Sequence, residues 1–256
     1  MRARIRGYAV LLYGAVTMAL FFLVSLPVML LTGSGALPMW FARRAWSPSC
    51  LRVAGTRVEE APRPALPDGP LIFVSNHESA LDIWVLVSLV PRSIRFIAKV
   101  ELFRIPIFGT YLKLGGHIPV DRGNHARAVA SLRHAATTVR GGTSLIVFPE
   151  GTRSRDGRVH PFKKGPFVVA MEAGVPVVPV AISGTGRITP KKLVAVSPGV
   201  ARVAFGAPVD PRKFPDKDAL LIEVRRRVIA LHRSLGGAGG DESHAIAAPG
   251  LEGAGA

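Results

Sequence analysis

The feature that most constrains this chain is a long stretch without charge near its start. No residue from Gly7 to Ala42 is charged, and Tyr8 to Leu31 is almost wholly apolar. A helix of about 20 apolar residues crosses a bilayer, so this stretch is long enough to do so. The sequence therefore predicts an N-terminal membrane-anchoring helical segment over residues 1–46.

Three arrangements fit this segment. A cleaved signal peptide would have the basic start that Arg2, Arg4 and Arg6 supply, but the apolar run is long for one. A single membrane span is the second arrangement. The third is a helical pair that enters and leaves on one side, because Pro27 and Gly33 interrupt the run. Basic residues stand at both ends of the stretch, which favours the third arrangement because basic flanks prefer the cytoplasm.

The rest of the chain divides by pattern. Residues 47–70 are predicted to be a polar, Pro-rich connector, residues 71–235 an α/β domain, and the Gly/Ala-rich residues 236–256 a disordered tail. Apolar runs predict strands at Leu71–Ser75, Ile94–Ala98, Ile118–Val120, Ser144–Phe148, Val177–Ile182, Leu193–Val196 and Ala201–Phe205. Helical spacing predicts helices at His125–Arg140, Phe167–Ala173 and Asp216–Leu235. Alternating strands and helices predict a mostly parallel sheet flanked by helices.

Charge and cysteine content limit the possible partners. The 33 Lys and Arg against 17 Asp and Glu give a net charge of +16, which suits nucleic acid, a phosphorylated substrate, an acidic carrier protein or an anionic membrane. No helix-turn-helix, OB or RNP signature is visible, so nucleic acid is not expected. A basic surface without a specific partner is the plainer alternative. Cys50 is the single cysteine and is interpreted as structural, and no Cys/His cluster has the spacing of a metal site.

A first cluster of polar residues follows the strand that ends at Ser75. The run from Ser75 to Asp82 reads Ser-Asn-His-Glu-Ser-Ala-Leu-Asp. The neutral imidazole of His77 can take a proton near pH 7, and a carboxylate on its other nitrogen fixes the tautomer. A turn between strand and helix lets Asp82 reach His77. The alternative role of Asp82 is to cap the helix, and both roles can hold together.

A second cluster reads Phe-Pro-Glu-Gly-Thr-Arg-Ser-Arg from Phe148 to Arg155. Arg153 can hold a phosphate in a fork of donors, and Glu150 can orient that arginine or meet a substrate hydroxyl. The alternative is a charged surface turn.

Two further segments stand at positions where open α/β sheets place ligands or apolar substrate. Lys99 and Arg122 each follow a predicted strand, although solvated cations at loop ends are the commoner finding. Pro176 and Pro179 lie in an apolar strand that fits an acyl chain beside an active site, or ordinary core.

Together, and in this order, these blocks resemble the glycerolipid acyltransferase family, and within it the 1-acyl-sn-glycerol-3-phosphate acyltransferases, over Leu71 to Phe205. The resemblance implies that His77 is the general base and Asp82 its orienting carboxylate. It implies acceptor or phosphate binding by Lys99, Arg122, Glu150, Gly151, Thr152 and Arg153, and an acyl-donor side at Pro176 and Pro179. The family often has Gln where this chain has Glu78.

The resemblance also implies a reaction. A fatty acyl group moves from acyl-CoA or acyl carrier protein to the sn-2 hydroxyl of 1-acyl-sn-glycerol-3-phosphate (lysophosphatidic acid), giving phosphatidic acid in phospholipid biosynthesis, without a metal or a further cofactor. The expected location is the cell membrane, in contact with anionic lipid, with the catalytic domain on the cytoplasmic face. A sister acyltransferase with another lyso-lipid or glycerol-3-phosphate as acceptor is the nearest alternative. A thioester hydrolase, a membrane-bound nucleic-acid-binding protein and a non-catalytic membrane adaptor are the others.

Overall fold

A central sheet organises the chain in the computed structural model, which describes residues 1–121, 125–190 and 194–247 apart from the side chains of 125–128. Within those residues the sheet has seven strands. They are β1 (Thr56–Glu60), β2 (Ile72–Ser75), β3 (Ile94–Lys99), β4 (Ile118–Val120), β5 (Ser144–Val147), β6 (Val177–Ser183) and β7 (Gly199–Phe205). Their spatial order is β1-β7-β6-β2-β5-β3-β4.

The strand directions put one set of loops at a common edge. Strands β4, β3, β5, β2 and β6 run parallel, whereas β7 runs antiparallel to β6 and parallel to β1. In register, Val74 of β2 lies between Val147 of β5 and Pro179 of β6. The loops that follow β2, β3, β5 and β6 therefore emerge at the same carboxyl edge, where open parallel sheets bind ligands.

Helices cover both faces of the sheet. They are α1 (Arg2–Thr32), α2 (Ala36–Phe41), α3 (Ser47–Val53), α4 (Leu81–Leu89), α5 (Phe108–Leu114), α6 (His125–Arg140), α7 (Gly165–Ala173), α8 (Thr185–Ile188) and α9 (Lys217–Ser234), with a π-helical segment at Ala42–Trp46 and 3₁₀ segments at Val100–Arg104 and Pro211–Lys213. Alternate residues of a strand face opposite sides. Phe73 thus packs in the core beneath α1, α4 and α5, whereas Ile72 and Val74 pack beneath α6, α7 and α9. The predicted α/β class with a mostly parallel, helix-flanked sheet is confirmed.

The predicted connector 47–70 contains structure that the sequence pattern did not reveal. It begins with α3, and strand β1 adds to the edge of the sheet beside β7, pairing Val58 with Ala201. This strand reads Thr-Arg-Val-Glu-Glu, and its charged side chains suit an edge strand that must not pair with another molecule. An edge strand with so little apolar character resembles a loop when read from sequence alone.

The strand predicted at Leu193–Val196 is wrong for residues 194–196, and Leu193 lies outside the described residues. Val196 is apolar because it is buried against Val10 of α1 and Ala54. Its backbone N–H donates to the carbonyl of Ala3 at 3.0 Å. The apolar run therefore reflects contact with the N-terminal helix and not membership of the sheet.

The tail predicted to be disordered is packed against the domain as far as residue 247. The carbonyl of Gly239 accepts from the N–H of Val159 at 2.8 Å, and Phe162 exchanges backbone hydrogen bonds with Ala245 and Ala247 at 2.9 Å each. A Cβ on Gly240 would lie 2.4 Å from the carbonyl oxygen of Val159. The glycine content of the tail, from which disorder was predicted, is what lets its backbone lie so close to Val159.

The N-terminal segment is a helical pair. Helix α1 continues through Pro27 and ends at Thr32, where Gly33 caps it with a left-handed φ of 63°. Helix α2 then begins the second helix of the pair. Helix α1 is long and apolar enough to cross a membrane. One of its faces nevertheless packs on the domain. There the ring centroid of Phe22 lies 5.5 Å from that of Phe108 and 4.6 Å from that of Tyr111.

Candidate active site

His77 lies at the carboxyl end of β2, in a turn that is fixed from several sides. The side chain of Asn76 both donates to and accepts from the backbone of Ile182 in β6, at 2.8 Å each. The carbonyl of His77 accepts from the N–H of Ser154 at 2.7 Å. The ring of His77 stacks on that of Phe148, with centroids 4.1 Å apart and planes inclined by 19°. The position and the plane of the imidazole are therefore both set before any substrate binds.

Asp82 orients the imidazole, as the spacing predicted. Its Oδ2 lies 2.8 Å from Nδ1 of His77 and also accepts from the backbone N–H groups of Glu78 and Ser79, at 2.7 and 2.9 Å. The carboxylate thus satisfies N–H groups before α4 and holds the histidine at the same time. With Nδ1 engaged, Nε2 is the nitrogen that can take a proton, and the His77 side chain is 15% exposed.

Two residues that the sequence analysis did not assign complete the support of this dyad. Thr185, at the start of α8, donates from Oγ1 to Oδ1 of Asp82 at 2.5 Å. Glu78 accepts through Oε2 from the N–H groups of Gly184 and Gly186, at 3.0 and 3.1 Å. Thr185 follows the carboxyl end of β6, so the strand-end rule that selected Lys99 also applies to it.

The fully buried His232 of α9 holds the other oxygen of Glu78. Its Nε2 lies 3.0 Å from Oε1 of Glu78, and its Nδ1 accepts from the N–H of Gly239 at 3.0 Å. Because Nδ1 is an acceptor, Nε2 carries the proton and donates to Glu78. No feature of the sequence pattern pairs residues 78 and 232.

Glu150 differs from its predicted role in acceptor binding, because its carboxyl is buried and points to the main chain of His77. Oε1 accepts from the N–H of His77 at 3.0 Å, whereas Oε2 is buried without a hydrogen-bond partner in the described part of the chain. Burial raises the pKa of Glu150 to about 8, and the nearby carboxylates of Asp82 and Glu78 add to that rise. Hydrogen bonds from the backbones of His77 and His160 oppose it.

The other residues of the second cluster that were predicted to bind the acceptor, Gly151, Thr152 and Arg153, are more exposed than Glu150. Gly151 turns the chain with a φ of 75°, a conformation that favours glycine. Thr152 is exposed and Arg153 is partly exposed. The backbone N–H of Ser154 donates to the carbonyl of His77, so this turn places the preceding residue, Arg153, beside the histidine.

Lys99 is exposed at the end of β3. It is two strands away from β2, or about 10 Å across the sheet. Arg122 lies outside the described residues, so its predicted place beside the acceptor phosphate stays a prediction.

The two prolines predicted for the acyl-donor side do not reach this edge. Pro176 precedes β6, and its carbonyl accepts from the N–H of Ile72 at the amino edge of the sheet. Pro179 is buried in the middle of β6, beside Val74. Pro176 therefore lies at the opposite edge and Pro179 within the sheet, and neither lies with His77 at the carboxyl edge.

Comparison with known proteins agrees with this arrangement. A family model described as Acyltransferase matches residues 52–183. The chain belongs to the acyltransferase family. The match extends from α3 to the end of β6 and thus includes His77, Asp82 and the turn at Arg153.

The chain is also similar in sequence to individual acyltransferases. The chain is 41% identical over 164 residues to the chloroplastic 1-acyl-sn-glycerol-3-phosphate acyltransferase BAT2 of Brassica napus, covering 64% of this chain and 46% of the relative. It is 31% identical over 182 residues to the 1-acyl-sn-glycerol-3-phosphate acyltransferase of Saccharomyces cerevisiae, covering 70% of this chain and 60% of the relative. The chain spans about half the length of the first of these relatives.

A solved structure matches nearly the whole fold. The crystal structure of the 1-acyl-sn-glycerophosphate (LPA) acyltransferase PlsC from Thermotoga maritima superposes with a TM-score of 0.75 and 29% sequence identity, covering 92% of this chain and 97% of that one. The similarity therefore includes the N-terminal helices as well as the acyltransferase domain.

Replacing Thr185 tests the support of Asp82. Thr185→Val removes the hydrogen bond to Oδ1 and leaves a buried carboxylate oxygen unsatisfied, so we expect kcat to fall about 10- to 100-fold. Thr185→Ser keeps the hydroxyl and is the matched control, expected to retain most of the activity. Equal kcat for the two variants would show that this hydrogen bond does not support the dyad.

The raised pKa of Glu150 predicts a pH-dependent stability. The folded protein holds this proton up to about pH 8, whereas the unfolded chain releases it near 4.5. The stability that the neutral carboxyl provides is thus complete below pH 4.5 and is lost as the pH rises to 8. Glu150→Gln stays neutral, so we expect it to gain on the wild type by ~1.4 kcal/mol per pH unit across this range. Denaturant unfolding at several pH values measures the difference, and parallel profiles would contradict it.

Proposed function

We propose that this protein is an O-acyltransferase that moves a fatty acyl group from a thioester to the sn-2 hydroxyl of 1-acyl-sn-glycerol-3-phosphate, giving phosphatidic acid. The observation that carries the proposal is the His77–Asp82 dyad at the carboxyl edge of the sheet, with Nδ1 and Oδ2 at 2.8 Å. Curated relatives with this acceptor in their names support the choice of acceptor.

The proposed reaction follows from this geometry. Nε2 of His77 takes the proton of the acceptor hydroxyl while that oxygen attacks the thioester carbonyl. The tetrahedral intermediate then collapses, the carbon–sulfur bond breaks, and the imidazolium returns the proton to the leaving thiolate. Asp82 stabilises the imidazolium between these steps. The reaction uses no acyl-enzyme and needs no metal or further cofactor.

Arg153 and Lys99 supply the charge for the acceptor phosphate in this proposal. Both stand at the carboxyl edge and are accessible to solvent, and the guanidinium of Arg153 offers a fork of donors suited to phosphate. The proposed acceptor would lie with its phosphate at this rim and its hydroxyl at His77. Arg122 is proposed to contribute to the same phosphate.

The thioester donor is proposed to be acyl-CoA or acyl carrier protein. The net charge of +16 suits both, since each carries phosphate or acidic groups.

The proposed location is the cell membrane, in contact with anionic lipid, with the catalytic domain on the cytoplasmic face. Helix α1 exposes a row of large apolar side chains to its surroundings while its other face packs on the domain. Contacts extend from Ala3, which bonds Val196, to Gly35, which lies against Gly115. A helix held along a globular domain in this way favours partial insertion into one leaflet over a span.

Acyl transfer is the direct test of the proposed reaction. We expect wild-type protein to make phosphatidic acid from labelled acyl-CoA or acyl carrier protein and lysophosphatidic acid, and His77→Ala to lose about 10³-fold in kcat, the typical contribution of a general base. His244→Ala, at an exposed histidine, is the matched control. Product from glycerol-3-phosphate or another lyso-lipid alone would assign a different acceptor, and equal rates for wild type and His77→Ala would end the mechanism.

The proposed orientation is tested separately. Basic residues flank the apolar stretch on both sides, so we expect both flanks to remain in the cytoplasm. A reporter fused after Ala256 should therefore read cytoplasmic. An external signal from that fusion would overturn the orientation without bearing on the chemistry.

A further inference from the structure

An exposed apolar tip lies between the 3₁₀ segment Val100–Arg104 and α5. Ile105 is 46% exposed and Ile107 is 62% exposed. The tip follows β3 after the short 3₁₀ segment, so it extends from the carboxyl edge of the sheet, the edge that carries His77. Single exposed apolar residues are ordinary on protein surfaces, but the backbone presents these two in an unusual way.

The backbone holds Ile107 in a rare conformation. Its φ of 65° and ψ of −59° are those of a γ-turn, which the N–H of Phe108 closes by donating to the carbonyl of Pro106 at 2.7 Å. A β-branched residue is strained at positive φ, where glycine is not. The N–H of Gly109 and that of Tyr111 donate to the carbonyls of Ile105 and Ile107, at 2.7 and 2.9 Å.

The tip is thus well fixed, and it presents isoleucine at a position that suits glycine better. Backbone strain of this kind tends to occur at residues with a functional role.

The tip continues an apolar surface that begins on the N-terminal helices. Phe108, next to Ile107, packs its ring on Phe22 of α1. Leu114 at the end of α5 is 40% exposed and precedes Gly115, which lies against Gly35 between α1 and α2. The large apolar residues exposed in the second half of α1 and in α2 are Leu20, Leu23, Val24, Leu30, Leu31, Leu37, Trp40 and Phe41.

Cations stand beside the tip. A groove of about 380 Å³ is lined by Arg104, Lys113 and His134 together with apolar side chains that include Phe103. Arg104 and Lys113 are exposed. An apolar tip with cations at its base has the arrangement expected where protein meets an anionic bilayer, with apolar groups among acyl chains and cations at phosphates.

We propose that the tip Ile105–Ile107 inserts into the acyl-chain region of an anionic phospholipid bilayer while Arg104 and Lys113 contact the headgroup phosphates. This is a second membrane contact, separate in sequence from the N-terminal helices. It sets the carboxyl edge of the sheet at the membrane surface. The inference rests on the membrane location in the proposed function and is independent of which acceptor the enzyme uses.

A fluorescent label reports the insertion directly. Cys50 is buried, so Ile107→Cys in the full chain supplies the accessible thiol for an environment-sensitive dye. Ile222→Cys on α9, at an isoleucine that is 49% exposed, is the matched control, and Leu20→Cys reports on α1. With phosphatidylcholine–phosphatidylglycerol vesicles, we expect a blue shift at positions 107 and 20, quenching of both by acyl-chain-brominated lipid, and no change at 222.

Three results would overturn the proposal. A label at 107 that stays aqueous while the label at 20 is quenched would confine the membrane contact to α1. A lack of quenching at both positions would remove the membrane location itself. A blue shift at 107 that needs no lipid and grows with protein concentration would show contact between two copies of the chain. None of these measurements depends on acyl transfer, so they are independent of the proposed reaction.

Activity and stability variants then test the consequence of insertion. Ile105→Ser/Ile107→Gly removes both apolar side chains and relieves the backbone at 107, so we expect an unchanged or higher Tm. We expect the KM for lysophosphatidic acid in vesicles to rise roughly tenfold, with unchanged turnover of the same substrate in detergent micelles.

Two further variants complete this test. Ile222→Ser should match the wild type in both assays. Arg104→Gln/Lys113→Gln should lose the preference for anionic vesicles. A KM in vesicles that none of these substitutions changes would contradict the proposal.

Discussion

Asp82 is a carboxylate without exposure to solvent, and a buried charge is stable only when hydrogen bonds replace its lost water. Here the imidazole of His77, two backbone N–H groups and the hydroxyl of Thr185 do so. These donors come from the turn after β2 and from the start of α8 after β6. The sheet must hold β2 and β6 side by side for Asp82 to be tolerated, and the position of the candidate base follows from the same condition.

Glu78 connects this buried site to helix α9, so that helix also contributes to the position of Asp82. It binds backbone N–H groups at Gly184 and Gly186 and the ring of His232, while its own N–H serves Asp82. A Gln at this position would keep one acceptor oxygen for part of this set but would lose the other, because both carboxylate oxygens accept here. The C-terminal helix α9 is therefore connected to the candidate base through two buried side chains.

The sequence predicted those parts of the molecule in which a local pattern determines the outcome. Buried strands such as β2 and β5, the helix α6 and the His77–Asp82 pair belong to this group, because apolar runs, helical spacing and a short turn are local properties. Strand β1 was missed because an edge strand is charged, and the bond of His232 to Glu78 because it joins residues 154 positions apart. Glu150 was placed at the acceptor because the resemblance of its motif to the family implied that role, whereas only the fold reveals its burial.

The distribution of charge around His77 bears on how the site would face a lipid surface. Asp82 and Glu78 are buried beneath the histidine, and burial raises the pKa of Glu150 beside them to about 8, whereas Lys99 and Arg153 stand at the accessible rim. Negative charge inside and positive charge outside would draw an anionic lipid to the rim and leave its hydroxyl to meet the base. The proposed acceptor, a lysophospholipid, lies in a membrane with its phosphate at the surface, so in the proposed reaction this polarity suits a rim held at the lipid headgroups. The apolar tip at Ile107, which extends from the same edge of the sheet, is placed to hold it there.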